Sequence, residues 1–376
     1  MKKSKVMKSL LVLTSSAFLA ACSGKSTPAP SSDAATSAAE TTAAETTTAA
    51  QETSQAESTV EDSTAAETEK AQESGVELRI GQVEGAAHGD KCFTVATAVI
   101  DGDNTIVAAF IDEYQFLDDQ QTGVPNSDAF TEEGSVAEGK VLASKRVNNE
   151  YYSENMKKAG STVEIAANFD MIQEFARGKT AAELEELAGK TQEEVLDAVS
   201  GATLADTAGY LTVIADAAKA AEESKGVAYE GNPEELTLNV VEAAAHGTKC
   251  FTLAAALTDG TSVILSYIDE FQFLDGEQTG VPNSASFTEG ESILEGKVLG
   301  SKRVNNKYYS ENMKKAGSTV EIAANFDAIQ EFANGKTIAE LKELTGKPSE
   351  EVIDAVSGAT LADTAGYLTA ILTAAE

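Results

Sequence analysis

The stretch from Ser144 to Asp170 returns as Ser301 to Asp327 with a single change, Glu150 to Lys307. A chain that repeats itself this closely builds the same local structure twice, so any fold or site assigned to one copy belongs to both. His88-Gly89 recurs as His246-Gly247, and Lys91-Cys92-Phe93-Thr94 as Lys249-Cys250-Phe251-Thr252. The string from Asp197 to Asp206 returns unchanged as Asp354 to Asp363. The matching regions, 76–223 and 235–376, are each long enough for one domain with its own core. Two copies are too few for a solenoid. The expectation is two beads joined by a linker over 224–234, where Gly226, Gly231 and Pro233 gather.

Within a copy the pattern begins as strands. Val76 to Val83, Cys92 to Ile100 and Ile106 to Phe110 alternate or run apolar, with Asp101-Gly102-Asp103-Asn104 as a turn. A loop-rich stretch is expected after Thr122-Gly123-Val124-Pro125-Asn126, and that motif, repeated as Gly280-Val281-Pro282-Asn283, reads as a structural turn. The last third is helical. Thr180-x-x-Glu183 and Thr191-x-x-Glu194 are capping boxes ahead of apolar residues. Tyr210, Leu211, Ile214 and Ala217 carry a helical period over Asp206 to Glu222. Thr337-x-x-Glu340 and Pro348 mark the same starts in the second copy. The fold class is α+β.

The ends and the charge narrow the function. Lys2, Lys3, Lys5 and Lys8 precede a short apolar run ending in Leu19-Ala20-Ala21-Cys22. Residues 1–22 read as an export signal, too short to span a bilayer. The end of this signal resembles the lipobox of bacterial lipoproteins. That resemblance implies acylation of Cys22 and a lipid anchor in the bilayer on the outer face of the cell membrane, in a Gram-positive setting; the alternative is an ordinary secretory signal with a chance Cys. Residues 23–75 are built mainly from Ser, Thr, Ala, Glu and Pro with almost no large apolar side chain, a composition that cannot offset ordering entropy. Such a tether of about 50 residues spans roughly 40 Å on average and about 170 Å when stretched. The net charge of −33 argues against nucleic acid as a partner. After Cys22 only Cys92 and Cys250 remain, one per repeat. Each reads as a half-buried strand residue, with an interdomain bridge or redox role as alternatives. Two His and two Cys offer no metal-ligand spacing, so no metal site is expected.

Ser200-Gly201-Ala202-Thr203 and Ser357-Gly358-Ala359-Thr360 place a hydroxyl on a small-residue turn before a helix. Backbone N–H groups at a helix start lack internal partners and can hold a phosphate. The bland alternative is that Ser200 or Thr203 is only an N-cap. Asp197 and Asp354 lie two turns back, where a carboxylate can hold a metal or a basic group during an attachment reaction.

Asp-x-x-Ser-Gly-Ala-Thr is similar to the flavinylation motif of FMN-binding domains, as in the C and G subunits of sodium-pumping and Rnf-type redox complexes. Asp197, Ser200, Gly201, Ala202 and Thr203 match it, as do Asp354, Ser357, Gly358, Ala359 and Thr360. The chain departs from many family motifs in having Ala205 and Ala362 two positions on, where a Ser or Thr is common. The resemblance implies two covalent FMN groups, on Thr203 and Thr360, transferred from FAD by a separate Mg-dependent flavin transferase. With the lipobox and tether, the chain resembles PplA-type flavinylated lipoproteins of extracellular electron transfer. That implies two tandem FMN-binding-type domains and relay of electrons from a membrane quinol or NADH dehydrogenase to extracellular acceptors, by an electron carrier with no catalytic residues of its own rather than a stand-alone enzyme. The alternative function is a non-redox surface lipoprotein that binds a ligand or partner.

If flavin is attached, Tyr151, Tyr152, Tyr308 and Tyr309 are candidates to stack on the ring, with Met156 and Met313 beside them. Lys157 and Lys314 are candidates to stabilise the reduced ring; packing and solvated charge are the plain alternatives. Lys145-Arg146 and Lys302-Arg303 are basic spots and candidates to face a phosphate, and His88 and His246 read as turn residues.

Overall fold

A computed structural model describes residues 75–158, 160–290, 292–315 and 317–376. The expected signal peptide with Cys22, and the expected tether up to residue 74, lie outside the described residues.

The first repeat runs β1 (Val76–Gly85), β2 (Cys92–Ile100), β3 (Ile106–Asp118), α1 (Ser127–Glu132), β4 (Lys140–Ser144), α2 (Asn149–Lys158), α3 (Ile165–Ala176), α4 (Ala181–Ala188), α5 (Gln192–Ala198) and α6 (Thr207–Glu222). A short strand β5 (Val227–Tyr229) follows. The second repeat gives β6 (Thr237–Ala243), β7 (Cys250–Thr258), β8 (Val263–Asp275), α7 (Ser284–Glu289), β9 (Lys297–Ser301), α8 (Asn306–Lys315), α9 (Ile322–Ala333), α10 (Ile338–Thr345), α11 (Ser349–Ala355) and α12 (Thr364–Ala375). The fold is α+β, with antiparallel sheets ordered β4-β3-β2-β1-β5 and β6-β7-β8-β9.

Several elements follow local sequence physics. Thr180, Thr191 and Thr337 each accept the N–H of the Glu three residues on, and that Glu returns a carboxylate to the Thr N–H, so the capping boxes form as expected. Others depart from expectation. β3 continues past Phe110 to Asp118, paired with β2 and then β4, and carries Asp112 and Glu113 into the interior. The stretch after Asn126, expected to be loop-rich, holds α1, β4, α2 and α3. The expected linker is partly strand: β5 pairs with β1.

Each repeat has a buried core of its own, and a third buried layer is shared between the two. Every residue of β2 and β7 is buried, because both faces of each strand are covered. Ala96, Ala98 and Ile100 face the helices of their own repeat. Phe93 and Val95, on the opposite face, pack with Phe251, Leu253 and Phe271 of the second repeat. The Phe93 and Phe271 rings lie 6.2 Å apart, and Phe130 of α1 meets Phe273 edge-on at 5.1 Å. Phe287 of α7 reciprocates against Phe116 at 5.3 Å. Beyond the rings, the Leu294 N–H donates to the Ser135 carbonyl (3.0 Å) and the Ala137 N–H to Ser292 (3.0 Å). Buried aromatic side chains of this kind each contribute about 2 kcal/mol, so the shared layer holds the repeats together. Cys92 and Cys250, the first residues of β2 and β7, are fully buried free thiols rather than half-buried residues.

Candidate functional site

The Thr203 segment crosses between α5 and α6 as non-helical chain, and the helix opens at Thr207, not directly after Thr203. Neither Ser200 nor Thr203 caps it; the N-cap position is Asp206, whose carboxylate makes no capping bond. Gly201 has φ +91°, which only glycine adopts without strain, and a Cβ there would meet Met171 Sδ at 2.9 Å. Ala202 is buried in the core and anchors the turn, while Ser200 and Thr203 remain exposed.

Asn168 of α3 holds Thr203. It is fully buried, and its Oδ1 accepts the Thr203 N–H (2.7 Å) and the Thr203 hydroxyl (3.3 Å). Its Nδ2 donates to the Val163 and Glu164 carbonyls (3.3 and 3.0 Å), which fixes the amide's orientation. The hydroxyl proton is thereby committed to Asn168, and the lone pairs of the exposed oxygen are left to the solvent side. Asn325 does the same for Thr360, at 2.6 and 3.2 Å. Sequence reasoning missed both Asn residues. The signal was an amide on the apolar face of a helical period, beside Ile165, Phe169 and Ile172.

Thr203 opens on a cleft of about 390 Å³ lined by His88, Met156, Thr203, Asp206 and Tyr210 among others. The Asp206 carboxylate is turned onto His88 Nδ1 (2.6 Å), and Asp363 onto His246 (2.6 Å). The His residues are thus paired to the helix start, beyond the turn role expected of them. The N–H groups of Leu204, Ala205 and Asp206 have no hydrogen-bond partner among the described residues, nor have those of Leu361, Ala362 and Asp363. Free donors at the positive end of a helix suit an anion.

A buried polar cluster supports the floor of the cleft. The Tyr210 hydroxyl donates to Glu113 (3.0 Å), as do the Thr94 hydroxyl (3.1 Å) and the Lys145 ammonium. Burial, the largest single effect, pushes the Lys145 ammonium down, but the Glu113 carboxylate and its hydrogen bond, together with neighbouring Tyr152 and Cys92, outweigh it and hold the group above its usual range. Burial, then Glu113, pushes the Tyr210 hydroxyl well up. The Cys92 thiol donates to the His88 carbonyl (2.7 Å); burial and Glu113 push it up, so it stays a thiol. Lys302, Glu270, Thr252, Tyr367 and Cys250 repeat the arrangement.

The basic spots therefore do not face a phosphate. Lys145 and Lys302 are sealed in ion pairs, and Arg146 bonds the Ile111 carbonyl (2.7 Å) and Asp170 (2.8 Å). Among the candidate ring contacts, only Met156 lines the Thr203 cleft. Tyr152 and Tyr309 lie beneath the buried ammoniums, 4.8 and 4.3 Å from ring centre to Nζ, and donate to Gln115 and Gln272. Met313 is half-buried against the second core, as Met156 is against the first. Tyr151 is exposed, edge-on to Tyr152, and the Tyr308 hydroxyl donates to Asp275 (3.3 Å). Lys157 lines a neighbouring cleft of about 790 Å³ that shares the Gly160–Thr162 loop, and Lys314 lines its counterpart of about 740 Å³. Glu150 in the first and Lys307 in the second make these two clefts differ in charge. Asp197 and Asp354 are exposed on the last turns of α5 and α11, outside the Thr203 cleft in the case of Asp197.

Among the described residues no helix is long and apolar enough to cross a membrane. Comparisons with models of protein families, with curated proteins and with solved structures return no match.

Proposed function

We propose that this is a membrane-anchored extracytoplasmic electron carrier of two tandem FMN-binding-type domains, with FMN esterified to Thr203 and Thr360. The observation that carries the reading is the presentation of the Thr203 and Thr360 hydroxyls. Each is exposed, each has its proton held by a buried Asn, and each is followed by three N–H groups without a partner among the described residues. A phosphoester oxygen is the group such donors suit.

Attachment from FAD balances simply. The Thr oxygen forms a new bond to the FMN phosphorus, the pyrophosphate bond to AMP breaks, AMP leaves, and the hydroxyl proton passes to a base of the transferase or to solvent. In this reading the Mg-dependent transferase supplies the metal. The attached flavin supplies the redox chemistry, and the protein supplies position and electrostatics. Thr203, Ser200, Gly201 and Ala202 hold the ester side in the first repeat, and Thr360, Ser357, Gly358 and Ala359 in the second. A lipid anchor on Cys22 and a long tether suit a carrier that takes electrons from a membrane quinol or NADH dehydrogenase and delivers them outside the cell.

The test is co-production of the exported chain with a flavin transferase, then a denaturing gel under ultraviolet light. A fluorescent band at full length is expected. A dark full-length band, with an active transferase, refutes the reading and favours a non-redox surface lipoprotein.

A further inference from the structure

The Gly-Val-Pro-Asn turns do more than reverse the chain. Asn126 and Asn283 sit at the N-cap positions of α1 and α7 with φ +68° and +67°, and neither caps its helix. Each spends its amide on the other repeat. Asn283 Nδ2 donates to the Gly89 carbonyl (3.0 Å) and the Cys92 carbonyl (2.7 Å). Asn126 Nδ2 donates to Gly247 (3.0 Å) and Cys250 (2.7 Å).

The loop so gripped is the one that carries the site histidine. Its base is pressed by α6, where a Cβ on Gly209 would meet the Ala87 carbonyl oxygen at 2.2 Å. Its far end is tied back by the Cys92 thiol on the His88 carbonyl. Between these points His88 reaches Asp206, three residues from Thr203. Asn283 closes the remaining side. Gly366 against Ala245, Cys250 on His246 and Asn126 on Gly247 build the same frame in the second repeat.

We infer that Asn283 is a positioning residue for the Thr203 site and Asn126 for the Thr360 site, so that each attachment site is completed by the opposite repeat. This inference rests on the reading of Thr203 and Thr360 as attachment sites. It makes the two repeats one functional unit. Occupancy and ring environment at either Thr depend on an amide placed by the other half of the chain.

Asn283→Gly keeps the left-handed backbone and removes the amide; Asn283→Asp keeps the size and removes the donor. The full chain is co-produced with the transferase, and FMN occupancy at each Thr is read by peptide mass mapping. Backbone amide exchange over 86–92 and 244–250 is read separately on unflavinylated protein. Both Asn283 variants are expected to lower occupancy at Thr203 while Thr360 stays loaded. Exchange over 86–92 should rise about ten-fold, the effect of losing about 1.4 kcal/mol of hydrogen bonding, with 244–250 unchanged. Asn126→Gly should show the mirror pattern. A lesion in the variant's own repeat, an equal loss at both Thr residues, or unchanged exchange over 86–92 overturns the inference. If the unsubstituted chain takes no FMN, the attachment reading fails, and the exchange measurement still decides whether the clasp holds the loop.

Discussion

Replacing Glu113 by Gln removes one charge from a place where its partner cannot follow it into water. The Lys145 side chain is 3% exposed and that of Glu113 0%. Glu113 also accepts the Tyr210 and Thr94 hydroxyls, so Gln must leave at least one donor poorly met. An ammonium stranded in such a site costs about 3–5 kcal/mol. In a domain this large each kcal/mol lowers the melting midpoint by about 2–4 °C, so a fall of about 10 °C is expected. Urea unfolding followed by circular dichroism measures the loss directly. The same physics predicts that the double variant Glu113→Leu/Lys145→Met recovers much of it, because a packed apolar pair replaces two desolvated charges. The reasoning fails if Glu113→Gln costs under about 1 kcal/mol, as an exposed pair would, or if the double variant is worse than either single change.

Three further outcomes follow from the geometry. Glu242 reaches towards Asp112 and Tyr114 of the first repeat, and its Oε1 is buried without a partner among the described residues. Burial, with the Asp112 carboxylate adding, pushes Glu242 up to about 8, and Asp112 itself is pushed up to about 6 by burial. A raised carboxyl favours the folded state in its protonated form, so its contribution is complete below the ordinary value of 4.5 and is lost as pH climbs through 8. The melting midpoint should therefore fall between pH 5 and pH 9, and Glu242→Gln should flatten that fall; an unchanged slope would count against the buried acid. Gly201→Ala and Gly358→Ala should each cost about 1–2 kcal/mol through the positive φ. The first should cost more, since its Cβ meets Met171 at 2.9 Å and the second meets Ala328 at 3.4 Å; equal midpoints would contradict this. Asn168→Ala should reduce flavin loading at Thr203 while leaving Thr360 loaded, read by mass mapping, and equal loading would remove Asn168 from the site.

What could be read from the chain alone follows the range of the forces involved. The capping boxes at Thr180, Thr191 and Thr337 are local, and they form as written. The duplication is a property of the string itself, and both copies adopt the same elements. The expected loop-rich stretch fails for two reasons. The helix α2 has no fully buried side chain, and only Tyr152 and Met156 are half-buried against the core, so it offers too short an apolar period to detect. By contrast, α3 does carry one, in Ile165, Phe169, Ile172 and Ala176, immediately after a polar turn. Asp112, Glu113 and Lys145 look like surface charge until the topology places them together, since the sheet brings residues far apart in sequence to one strand pair. The shared layer between repeats is equally non-local. The alternation in β2 shows two apolar faces, but only the second sheet reveals what covers the outer one. Thr203 is singled out by its motif alone, whereas the Asn168 that hydrogen-bonds it and the Asn283 that grips the neighbouring loop require the fold.

The central claim concerns two oxygens, and intact mass of the exported chain co-produced with a flavin transferase tests it most directly. The unsubstituted protein should carry two FMN additions, Thr203→Val and Thr360→Val one each, and the double variant none. Two additions persisting in either single variant, or none on the unsubstituted chain with an active transferase, would contradict the account.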